Sequence, residues 1–247
     1  MNKENEIKHW TTKKTMDYHE NQFIQPKRST VAFEKFLSSK TDISGNVLDL
    51  ACGGGAVDAY IASMHKDVTI TGVDLIGSSF QLFDKYVNSD LRNRIILETG
   101  DWYNLDKKYI EAFDGVISVQ TLSWLEKWKD PIDKIIELNP RWMAFSSLFY
   151  EGRIELQIKA MDYERCNEIG DHEETFYNIY SIPIIKEYLE SKGYSVFEYA
   201  PFEIDIDLPK PKHKDFETYT VKTDEGKRLQ ISAAMLMPWY FIYAAKE

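Results

Sequence analysis

Between Val47 and Phe149, short apolar runs alternate with amphipathic stretches, and nothing else in the 247 residues limits the fold as tightly. Val47–Ala51, Val68–Asp74, Ile95–Thr99, Gly115–Gln120 and Trp142–Phe149 read as strands. Ala56–Met64, Ser79–Val87 and Ile132–Leu138 read as the helices between them. Strands that are apolar on both faces and joined by helical crossovers build a parallel sheet covered on both sides, so the expected class is α/β. Residues 1–44 are polar and helical in pattern, with Phe33, Phe36 and Leu37 at three- and four-residue spacing. Past Tyr150 the alternation breaks for about thirty residues, then resumes with a helix at Ile182–Leu189 that Gly193 ends and a strand near Tyr194–Tyr199. Two β-rich runs within 216–232 flank "KTDEG" and predict a hairpin turning on Gly226, and "WYFIYAAK" is the last strand.

The chain is expected to form one domain over 1–247, with the irregular segment 151–180 covering the end of a strand, where open α/β sheets bind ligands. A net charge of −10 repels a polyphosphate backbone, so no nucleic-acid partner is expected. No apolar run approaches a bilayer span, and "MNKENEIKHW" lacks the apolar middle of a signal peptide, which implies a cytoplasmic protein with no membrane partner. The two cysteines, Cys52 and Cys166, are too few for a disulfide framework. "DHEE" lacks the second histidine of a zinc-protease helix, so no metal is expected.

The stretch "NVLDLACGGGAVDAYIA" hands the first strand to the first crossover helix through Gly53, Gly54 and Gly55. A backbone without Cβ atoms at such a handover can turn sharply and let a ligand lie against it. Dinucleotide binding is one alternative, but its fingerprint asks for glycine or alanine where this chain has Asp58, and the lysine of a mononucleotide loop is absent. Asp74 ends "TITGVD" 21 positions after Gly53, the spacing at which an acid reaches a ribose, and its two oxygens can accept both hydroxyls.

Asp49, Leu50, Ala51, Cys52, Gly53, Gly54 and Gly55 resemble motif I of the class I S-adenosylmethionine-dependent methyltransferases. The resemblance implies a Rossmann-like, doubly wound sheet of seven strands, mostly parallel with an antiparallel last strand, and an insertion after strand five. It further implies that Gly53 and Gly55 let the methionine part of S-adenosylmethionine, later S-adenosylhomocysteine, lie on the loop, that Asp49 orders the loop and its amino-group contacts, and that Ala51 is the small residue of this cofactor-binding motif. "ETGDWYNLD" is similar to the family's adenine segment, which implies that Asp101 accepts from the adenine amine between Trp102 and Leu75. "FDGVISVQTLSWLE" resembles the fourth motif and places Gln120 beside the sulfonium. Tyr18 and Arg28 stand where family members close an amino-terminal lid over the cofactor's carboxylate, whereas His19 reads as a surface or capping residue.

Methyl transfer is an in-line displacement in which alignment of the two reactants can supply roughly 7–11 kcal/mol. A hydroxyl acceptor also needs a base, and "GDHEETFYNIY" offers His172, with Glu173 and Glu174 nearby. Trp124, Glu151, Tyr177 and Tyr180 are candidate acceptor contacts by position. "VQTLSW" departs from the Asn-Pro-Pro-aromatic tip of enzymes that methylate nucleic-acid bases, and the carboxyl-terminal pattern resembles bacterial methyltransferases of surface sugars. The expected activity is methylation of an oxygen or nitrogen of a small molecule, with a sugar or sugar nucleotide first in line. An NAD(P)-dependent oxidoreductase and a non-catalytic cofactor-binding module are the alternatives. The sequence leaves the oligomeric state open.

Overall fold

Val47, Leu48 and Leu50 are buried on both faces of the first strand because helices cover the sheet on either side. The structure, a computed structural model, describes residues 13–162, 173–211, 218–232 and 235–247. Two helices come first, α1 (Lys13–Ile24) and α2 (Arg28–Ser38). Then follow β1 (Gly45–Leu50), α3 (Ala56–Met64), β2 (Val68–Asp74), α4 (Phe80–Tyr86), α5 (Ser89–Arg92) and β3 (Ile95–Thr99). The second half of the sheet is built from β4 (Gly115–Val119), α6 (Lys129–Glu137) and β5 (Trp142–Ser147). After it come β6 (Phe149–Tyr150), β7 (Lys159–Asp162), β8 (Glu173–Phe176), β9 (Tyr180–Ser181) and α7 (Ile182–Ser191). The chain closes with β10 (Val196–Pro201), β11 (Thr218–Lys222), β12 (Arg228–Ser232), β13 (Met235–Leu236) and β14 (Tyr240–Ala245).

The main sheet has seven strands in the order β10-β14-β5-β4-β1-β2-β3. All pairs from β5 to β3 are parallel, and β14 runs antiparallel to both β5 and β10. One face packs on Phe33 and Leu37 of α2, Ile61 of α3 and Phe83 of α4, and the other on Ile132 and Ile135 of α6 with Ile185 and Leu189 of α7. The strand order reverses between β1 and β4, so their carboxyl ends border the crevice where such sheets bind ligands. Among the described residues no helix is long and apolar enough to cross a membrane.

Several element boundaries differ from the sequence reading, most by one to three residues. The fifth strand stops at Ser147, and Phe149–Tyr150 instead pairs in parallel with Tyr180–Ser181, because the returning insertion offers that backbone a second partner. Within the insertion β7 and β8 pair as an antiparallel hairpin, and Leu156 bridges Ile179. Asn178 fastens its base: its Oδ1 accepts from Ile158 N at 2.8 Å and its Nδ2 donates to Leu125 O, also at 2.8 Å. The predicted hairpin at 216–232 has its paired strands at 218–222 and 228–232, with Gly226 at φ +78° in the turn, and β13 adds a third strand.

Candidate active site

The loop after β1 is organised by one carboxylate. Asp74, at the end of β2, accepts from Gly53 N through Oδ2 at 2.8 Å and from Ile76 N through Oδ1 at 2.9 Å. Each oxygen keeps a free lone pair for a further donor. Burial raises this carboxyl's pKa, and the two N–H bonds pull it back. Ala51 (φ +64°) and Gln120 (φ +61°) both hold the left-handed conformation at the tips of β1 and β4. Such strain in residues with a Cβ costs roughly 1–3 kcal/mol and gathers where a ligand is handled. Gly55, the residue before α3, sits at φ +82°, and a Cβ there would lie 2.8 Å from Leu97 Cδ1, so packing as well as turning demands glycine.

Beneath the loop lie two acids. Asp49 on β1 and Asp58 in the first turn of α3 are both fully enclosed, and apart from each other Asp49 Oδ1 and both Asp58 oxygens have no donor among the described residues. Burial pushes the Asp58 carboxyl up to about 7 and that of Asp49 well above the usual range, so the pair shares protons at neutral pH. Asp58 was legible as a buried residue, since it falls on the stripe it shares with Ile61 and Ala62. The sequence reading used it only to exclude a dinucleotide.

At the tip of β4, Gln120 Nε2 donates to Ser29 Oγ at 3.3 Å, and Gln120 Oε1 accepts from Lys27 Nζ at 3.3 Å. The same ammonium donates to the Tyr18 hydroxyl. Tyr18 is 44% exposed, and the cation beside it is Lys27. Arg28 turns outward to Asp205, Nε to Oδ1 3.7 Å, because the first turn of α2 points consecutive side chains in different directions. Sequence spacing could not choose between the two neighbours.

The adenine segment is divided in the same way. Asp101 caps the turn after β3, accepting from Tyr103 N and Asn104 Nδ2, each at 2.9 Å. Leu75 lies half-buried beyond β2. Trp102 is a core residue: its indole is enclosed in the cluster that includes Leu50 and Val73, and its Nε1 donates to Pro131 O at 3.0 Å. An indole held this way answers to packing first, as large aromatics commonly do.

On the insertion side, Trp124 meets the buried Tyr177 edge to face at 5.1 Å. Tyr180 is 1% exposed, and its hydroxyl donates to Leu125 O at 2.6 Å while accepting from Asn178 Nδ2, so it pins the insertion rather than facing an acceptor. Glu151 is exposed at the edge of this region. Glu174 pairs with Lys159 at 2.6 Å across the β7–β8 hairpin, and His172 lies outside the described residues. Among the described residues no cluster of acids, histidines or cysteines could hold a metal. A separate cleft lined by Asn46, Thr69, Arg94 and Phe113 opens at the amino ends of the strands, the edge opposite the loop.

These residues suit an adenosyl cofactor on two counts: a carboxylate with spare lone pairs at the end of β2, and a cation and an amide at the tip of β4. One side chain stands against it, the imidazole of His19, which rests on Gly53. Residues 47–138 match the family described as "Methyltransferase domain". The chain is 27% identical over 177 residues to "Putative methyltransferase 235L" of Invertebrate iridescent virus 6, covering 66% of this chain and 59% of that protein. It thus spans less than two thirds of that relative's length. Among solved structures, the DhpI-SAM-HEP complex superposes with a TM-score of 0.58 at 11% identity, over 97% of this chain and 96% of that one. The glycopeptide N-methyltransferase MtfA with S-adenosyl-L-methionine does so at 0.51 and 14%, over 88% and 94%. At these identities the superpositions speak to the fold.

Proposed function

We propose that the chain transfers a methyl group from S-adenosylmethionine to an oxygen or nitrogen of a small molecule, a reading supported by the match of residues 47–138 to a methyltransferase domain. The observation that carries this reading is Asp74 holding Gly53 and Ile76 at the switch point with lone pairs to spare for ribose hydroxyls. The cofactor, when bound, supplies an electrophilic methyl; every other requirement falls on this chain's residues. Gly53 adds no side chain of its own to the loop, the left-handed Ala51 turns the chain into it, and Lys27 and Gln120 bring one positive charge and one amide to the lip formed by β4. In this reading residues 1–44 serve as the amino-terminal cover and 151–180 as the acceptor cover, with the half-buried Trp124 as an aromatic wall beside the acceptor.

A sugar or sugar nucleotide is the first acceptor class in this reading. It is supported by the aromatic Trp124–Tyr177 pair and by the acidic net charge, which disfavours nucleic acid. A hydroxyl acceptor would draw on His172 as base, while an amine would need only to arrive neutral. Calorimetry with S-adenosylmethionine, S-adenosylhomocysteine and NAD tests the cofactor: binding of the first two is expected, and binding of NAD alone would replace the reading with an oxidoreductase. Incubation of metabolite and glycan pools with methyl-labelled cofactor, followed by mass spectrometry, then identifies the acceptor. Tight cofactor binding with no label transferred would point to a non-catalytic module.

A further inference from the structure

The glycine at position 53 leaves room for a residue of this chain's own. A Cβ built on Gly53 would lie 2.7 Å from His19 Cε1 and 3.0 Å from His19 Nδ1, and one on Gly54 would touch His19 Cβ at 3.6 Å and Phe23 at 3.5 Å. His19 and Phe23 stand one turn apart on α1, so a single helical face is laid on the loop. The imidazole meets the Tyr18 ring edge at 5.3 Å and makes no hydrogen bond among the described residues. Among the described residues, packing holds it there. Burial, and then the neighbouring Lys27, keep it neutral at physiological pH, pulling its pKa down to about 4.

The rest of α1 is fastened from the outside. Glu20 accepts from Lys85 Nζ and from the Tyr86 hydroxyl, each at 2.6 Å, and Phe23 stacks on Tyr86 with ring centroids 5.7 Å apart. All these partners belong to the last turn of α4, and an exposed ion pair of this type is worth little and yields readily. The arrangement resembles a hinged cover whose underside carries one plug. Gly55 differs, because its missing Cβ makes room for the core residues Leu97 and Phe83, which no ligand could displace.

We propose that His19 plugs the cofactor loop, occupying the space over Gly53 that the cofactor claims, and that binding requires α1 to lift this imidazole away. The inference rests on the reading of the loop as an S-adenosylmethionine site. A binding-competent form that is only fractionally populated lowers apparent affinity by that fraction, so removing the plug tightens binding without adding a contact. A residue that merely lined the cofactor pocket would have the opposite effect.

The test uses the full chain, with His19→Ala and the better space-filling His19→Gln, each first checked for an unchanged thermal midpoint. Titration calorimetry and stopped-flow binding with S-adenosylmethionine and S-adenosylhomocysteine are expected to show His19→Ala binding both roughly five-fold more tightly, mainly through faster association, with His19→Gln between it and the parent. Amide exchange at Gly53–Gly55 without ligand should be faster in His19→Ala. Weaker or unchanged binding together with unchanged exchange would overturn the plug while leaving the cofactor reading in place. Failure of the parent and both variants to bind either ligand would overturn both, the fold being verified by the thermal midpoint.

Discussion

Replacing Asp58 by asparagine should stabilise this protein, and only above mildly acidic pH. The side chain is fully enclosed, and its one hydrogen-bond partner among the described residues is its neighbour Asp49, a second buried acid. Its carboxyl is pushed from 3.8 to about 7, chiefly by burial. Between those values the unfolded chain has lost the proton and the folded chain retains it, so stability falls as pH rises through the window and levels off above it. At about 1.4 kcal/mol per unit, the full cost above pH 7 is on the order of 4 kcal/mol. Asparagine has nearly the same shape, cannot ionise, and its amide can donate to Asp49, which retains its own penalty for burial. A net gain of about 2–4 kcal/mol by pH 8 is expected, shrinking towards zero near pH 4. Urea unfolding of both proteins at pH 4, 5, 6, 7 and 8 measures it. A difference independent of pH, or a variant less stable than the parent at pH 8, would show that the two acids do not share a buried proton.

Three further outcomes follow from the same geometry. Asn178→Ala strips partners from Ile158 N, Leu125 O and the Tyr180 hydroxyl, and is expected to cost about 3 kcal/mol and to raise amide exchange in 156–162 selectively, read by mass spectrometry. Gly55→Ala combines a φ of +82° with a contact of 2.8 Å to Leu97, so its urea midpoint should correspond to a loss of about 2–3 kcal/mol. Acid should loosen α1. His19 is neutral above 6.5 whether the helix is seated or lifted, but as pH falls from 6.5 towards about 4 only the lifted form takes up a proton. The seated form, in which the ring faces Lys27 and Tyr18, therefore loses about 2–3 kcal/mol across that window. Amide exchange over 13–24, corrected for the intrinsic pH dependence, should rise between pH 7 and pH 5, and equal protection at both would count against it.

What the sequence determined by itself is the local chemistry of each segment. Apolar runs the length of a strand, separated by helical repeats, leave little choice but a covered parallel sheet, and Asp74 could be matched to Gly53 because strand length and loop length fix that separation. The left-handed turn at Gly226 was legible for the same reason, since it depends on residues next to one another. The tertiary structure decided which of several adequate side chains reaches the crevice. Lys27 and Arg28 are neighbours of like charge, and the packing of α2 on the sheet sends one to Gln120 and the other to Asp205. Trp102 and Tyr180 both looked like ligand contacts, but each has its polar atom bonded to a carbonyl of another element, Pro131 and Leu125. The Asp49–Asp58 pair and His19 over Gly53 arise from elements 9 and 34 residues apart that meet only once the helices have packed. Contacts of that kind depend on the path of the chain through space, which no local pattern of residues encodes.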